Sequence, residues 1–124
     1  FAPGQTIIIR HSYQPIVATV PLSDAALPTY RKRACLTAQQ EAAIAKLPRE
    51  GGAAPTVTTL AYATTANADA LGAARRFRLI VEASDPQMVV ATCREGLRQT
   101  GPIQLDWTAT EHSLDEEIQL LFAR

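Results

Sequence analysis

From Ile16 onward the predicted elements of this 124-residue chain run strand, helix, strand, strand, helix, strand, which makes it an α+β sequence. Two kinds of observation carry that order. Arg76–Ala83 and Ile103–Thr110 alternate apolar and polar residues with the period of a half-buried strand. Three helix-start signatures, at Thr37, at Ser84/Asp85 and at Ser113, stand before apolar residues at helical spacing.

The elements follow in order. Three consecutive isoleucines make Thr6–Arg10 a strand, Pro15 marks a turn, and Ile16–Val20 is the next strand. Pro21 and Pro28 bracket Ser23–Leu27, which has room for one helical turn. Thr37-Ala38-Gln39-Gln40 is a capping box, and the helix it opens runs to Leu47, where Pro48 stops it. Thr56–Thr64 is rich in threonine, with Val57, Leu60 and Tyr62, and reads as a strand. A long connector of small residues, Thr65–Ala74, leads to the strand Arg76–Ala83. A helix then starts at Ser84 or Asp85, with Val89, Val90, Cys93 and Leu97 on one side, and ends at Gly101-Pro102. After the strand Ile103–Thr110, Ser113-Leu114-Asp115-Glu116 opens a last helix striped by Leu114, Ile118, Leu121 and Phe122.

This is the split βαβ, ferredoxin-like order (βαββαβ) with an extra N-terminal strand and a C-terminal helix, in a single domain over residues 1–124. Right-handed crossovers place both main helices on one face of the sheet. Phe77, Leu79, Val81, Ile103, Leu105 and Trp107 then pack under the helices. Arg78, Ile80, Glu82, Asp106, Thr108 and Thr110 share the open face, to which Leu60 and Tyr62 add.

Composition narrows the function classes. Twelve basic and twelve acidic residues cancel, so the long-range field that draws proteins to nucleic acid or anionic lipid is missing. No apolar run, Ile7-Ile8-Ile9 included, approaches the length of a membrane span, and no signal peptide is legible at the start. Cys35 and Cys93 are far apart and show no ligand spacing, which points to two reduced, buried thiols and a cytoplasmic protein. No metal site is expected: His11 and His112 have no partner at ligand spacing. No phosphate loop, nucleophile elbow or other cofactor motif occurs either, so no cofactor is expected. Arg31-Lys32-Arg33 and the Arg75, Arg76, Arg78 group are the two basic runs, without the aromatic platform that binds RNA.

The sequence therefore points to a non-catalytic binding or assembly domain, acting through homo-oligomerisation or by docking a protein partner. Its surface comprises Leu60, Tyr62, Arg78, Ile80, Glu82, Asp106, Thr108 and Leu120, the last widening the stripe of the final helix. The alternative is a small cofactor-free isomerase, lyase or hydrolase with a sheet-lined acid–base pocket. Its catalytic candidates are Asp106, Arg78, His11 and His112, with Asp106 partly desolvated and raised in pKa. A weak nucleic-acid accessory role is a further alternative.

Overall fold

Antiparallel β-structure dominates the computed structural model, which describes residues 3–5, 17–63, 74–113 and 117–124. Seven strands and two short α-helices occur among those residues. In chain order they are β1 (Ala18–Pro21), α1 (Leu27–Ala34), α2 (Ala38–Ala45), β2 (Thr56–Ala63), β3 (Ala74–Glu82), β4 (Val89–Ala91), β5 (Arg98–Gln99), β6 (Gln104–His112) and β7 (Glu117–Ala123). The strands form two sheets, ordered β1-β2-β7-β4 and β3-β6-β5, and every pairing is antiparallel. The ferredoxin-like expectation is overturned: that order needs one sheet with both main helices on one face, whereas the strands here fall in two sheets and the residues of the expected second and last helices form β4, β5 and β7.

The chain packs in three layers. One face of the four-stranded sheet presents Val57, Ala91, Leu121 and Ala123 to Ala34, Leu36, Ile44 and Leu47 of the helical segment. The other face presents Leu60, Tyr62, Ile118, Leu120 and Phe122 to Phe77, Leu79, Val81, Leu105 and Trp107 of the second sheet. Strand β7 lies between the layers, and Ile118, Leu121 and Ala123 are among the most deeply buried residues. A strand covered on both faces reads as a continuous apolar run, which Ile118–Ala123 nearly is. The same run also fits a helical stripe, and this is why a C-terminal helix is expected where a strand forms.

The second overturned helix, over residues 84–101, fails for local reasons. Asp85 closes a turn instead of capping a helix: its Oδ1 accepts from Gln87 N at 2.8 Å. Val89 and Ala91 face the helices while Val90 faces the second sheet, the alternation of a strand. Gly96 adopts a φ of 86°, a conformation no helix contains, and a Cβ there would meet the Trp107 indole.

Other expectations hold. The capping box forms, with Thr37 Oγ1 accepting from Gln40 N at 3.1 Å and Thr37 N donating to Gln40 Oε1 at 2.9 Å. Strands β2, β3 and β6 stand within two residues of their expected limits. The segment Ser23–Leu27 is corrected: it holds a turn, and helix α1 starts at its end and continues to Ala34, because Pro28 falls in the first helical turn, where an amide hydrogen has no intrahelical partner anyway. The expected strand Thr6–Arg10, residues 65–73 of the connector Thr65–Ala74 and residues 114–116 of the last capping box lie outside the described residues.

Cys35 and Cys93 form a disulfide, with Cα atoms 4.9 Å apart. This corrects the expectation of two reduced, buried thiols; both residues are exposed. Cys35 ends α1 with a φ of 51°, and the cross-link pins that end to the segment after β4. On the same side, Gln40 Nε2 donates to Val90 O at 3.1 Å and joins α2 to β4.

Candidate functional site

The outer face of the β3-β6-β5 sheet is built by alternation from two long strands. In β3 the even-numbered residues Arg78, Ile80 and Glu82 point outward, and in β6 Gln104, Asp106 and Thr108 do the same. The register sets Ile80 beside Asp106, Arg78 beside Thr108 and Glu82 beside Gln104, with Arg98 of β5 on the far side of Asp106. Ile80 is 49% exposed, the largest value among the described large hydrophobic residues. No described element covers this face.

Arg78 reaches diagonally across the strand pair to Asp106. Its Nε lies 3.0 and 3.1 Å from the two carboxylate oxygens, and Nη2 also contacts Oδ2. The guanidinium hydrogen bond holds the Asp106 carboxyl below the usual carboxylate range, against an opposing push from partial desolvation, while the same contact raises the arginine. The expected raised pKa of Asp106 is therefore corrected. A carboxylate kept ionised by a paired guanidinium is a poor proton donor near neutrality.

The other acid–base candidates do not converge on it. His11 lies outside the described residues. His112 is buried between the sheets, not at a solvated strand end, with its ring 4.4 Å from that of Phe77 and 5.4 Å from that of Trp107. Undisturbed alternation would leave His112 on the outer face with Asp106 and Thr108. Glu111, with a φ of 51°, breaks the alternation and turns the imidazole inward. Nε2 of His112 is buried without a hydrogen-bond partner.

The sequence-derived binding surface is thus divided. Arg78, Ile80, Glu82, Asp106 and Thr108 share the outer face of the second sheet. Leu60, Tyr62 and Leu120 instead pack in the layer between the sheets. The correction follows from the layer order: the inward residues of β3 and β6 meet the other sheet, not the helices, and Leu60 and Tyr62 are part of what they meet.

Two surface features had no sequence forecast. A groove of about 480 Å³ runs beside α1, walled by Tyr30 and Arg33 and floored by Thr59, Ala61 and Gln119. It continues past Arg33 and Gln119 into a second depression of about 470 Å³ at Cys93, Arg94 and Glu117. Arg94 also lies over the Trp107 ring, 5.7 Å from its centroid. Residues from distant parts of the chain meet here through the disulfide, a contact with no local signal. Among the described residues no group of three or more His, Cys, Asp or Glu side chains could hold a metal ion. No described helix is long and apolar enough to cross a membrane.

No curated protein and no solved structure matches this chain. A family model does match, over residues 1–121, and the protein therefore belongs to the family described as Domain of unknown function (DUF4424).

Proposed function

We propose that this chain is a non-catalytic assembly domain that joins a second copy of itself through the β3-β6-β5 sheet. One observation carries the reading: Ile80 stands 49% exposed on a sheet face that no described element covers, framed by the Arg78–Asp106 ion pair and Glu82. An apolar centre with charges around it is the anatomy of an interface core and rim. The self-association version is favoured over an unrelated partner because the outward residues of β3 carry both signs of charge on either side of that isoleucine. The exposed Cys35–Cys93 disulfide supports an oxidising compartment as the place of action, in preference to the cytoplasm.

The test is the solution mass over a concentration series. The 13.4 kDa chain should approach twice its mass as concentration rises. Ile80→Asp should remain a folded monomer, because a carboxylate buried at the contact would have no partner. Gln99→Asp, at an exposed position on β5, should assemble like the wild type. A wild type that stays monomeric throughout defeats the reading.

A further inference from the structure

We infer that two copies meet edge to edge, β3 against β3, in an antiparallel pairing whose two-fold axis passes through Ile80, so that two three-stranded sheets become one of six strands. The inference rests on the assembly reading above and moves the contact to the β3 border of that sheet, where Ile80 meets its own copy across the axis and the outer face beyond it stays open.

Main-chain phase is the first argument. Ala83 N donates to Ile103 O at 2.7 Å, which marks that pair as hydrogen-bonded in the ladder with β6. Hydrogen-bonded pairs recur every second residue, so Phe77, Leu79 and Val81 direct their N–H and C=O groups at β6. Arg78, Ile80 and Glu82 therefore direct theirs at the opposite border, where no described strand pairs with β3. A nine-residue strand at the border of the described sheet, with no described partner on its outer side, is a template for another strand.

Charge selects the occupant and the register. An antiparallel pairing of β3 with itself has its two-fold axis at one residue, and hydrogen bonding requires that even-numbered residues face even-numbered ones. The register with the longest overlap centres on Arg78 and sets it against its own copy, a like-charge contact that destabilises a strand pair. A centre at Leu79 sets Arg78 against Ile80, and a centre at Val81 sets Ile80 against Glu82. The centre at Ile80 pairs isoleucine with isoleucine and Arg78 with Glu82 twice, once on each side of the axis. It pairs Leu79 with Val81 on the inward face, extending the apolar layer between the sheets. This pattern is self-complementary, as an isologous contact must be.

The test uses the 124-residue chain and native mass spectrometry, with circular dichroism to establish folding. Ile80→Pro removes an N–H that points away from β6, so the β3–β6 ladder keeps its bonds; a folded monomer is expected. Glu82→Arg and Arg78→Glu each turn two attractive contacts into two repulsive ones and should weaken the dimer at least about tenfold. An equimolar mixture of these two variants restores opposite charges at every contact and should recover the heterodimer. This readout stands even if the proline variant misfolds. A wild-type dimer whose charge variants associate as tightly alone as mixed would overturn the register while leaving assembly through the sheet face intact. A wild type that is monomeric at every concentration would overturn both.

Discussion

Removing the Cys35–Cys93 cross-link tests the account of how the helical layer is held to the sheets. The anchor points are 58 residues apart. In the chain-entropy treatment, a closed loop of that size restores about 4 kcal/mol of denatured-state entropy at 25 °C when it is opened. Little is lost on the folded side. Both cysteines are exposed, and the helical layer keeps Ala34, Leu36, Ile44 and Leu47 against the sheet. Unfolding entropy of about 2.1 cal/mol/K per residue gives about 0.26 kcal/mol/K for 124 residues, so the loss corresponds to a fall of about 15 °C in Tm. Thermal melts followed by circular dichroism, with and without reductant and on Cys35→Ser/Cys93→Ser, should show that fall with an unchanged native spectrum. Two titratable thiols in the unreduced native protein, or melting curves that coincide with and without reductant, would refute the reasoning.

Four further outcomes follow from the same structure. Leu121→Ala, in the doubly covered strand β7, should cost about 2–5 kcal/mol in denaturant unfolding, whereas Val20→Ala at the exposed β1 should stay within about 0.5. Thr37→Ala removes the acceptor for Gln40 N and should cost about 0.5–2 kcal/mol. His112→Phe keeps the ring packing and removes a buried nitrogen without a partner, so Tm should hold or rise; a clear fall would mean that Nε2 has a role in the folded protein. Asp106 binds its proton less readily folded than unfolded, so the stability this gives is present above the ordinary aspartate value of about 3.9 and disappears as pH falls through the lower folded value. Asp106→Asn should flatten the acid limb of a stability–pH curve, and an unchanged limb would contradict the ion pair with Arg78.

Legibility followed the reach of each signal. The Thr37 capping box and the alternation of β3 and β6 are settled by neighbours in sequence, and all three form where the sequence puts them. Alternation also sorted Arg78, Ile80, Glu82, Asp106 and Thr108 onto one face. What lies opposite the inward residues is a property of the layer order, which no local pattern carries, so the sequence alone puts Leu60 and Tyr62 on the open face. Ile118–Ala123 shows the limit most clearly. Burial on both faces erases the period of two, and the remaining apolar run suits a helix as well as a central strand. Residues 84–101 failed through turn chemistry at Asp85 and a left-handed Gly96, both hidden under an apolar spacing that imitates a helix. The disulfide and the inward turn of His112 depend on contacts or backbone geometry that composition cannot show.

The central claim, that β3 is where two copies join, is most directly tested by amide hydrogen exchange resolved along that strand at low and high protein concentration. The amides of Phe77, Leu79 and Val81 face β6 and should be protected at both concentrations. Those of Arg78, Ile80 and Glu82 face the outer border and should exchange quickly when dilute and become protected when concentrated. Exchange at those three positions that is fast and independent of concentration would contradict the account.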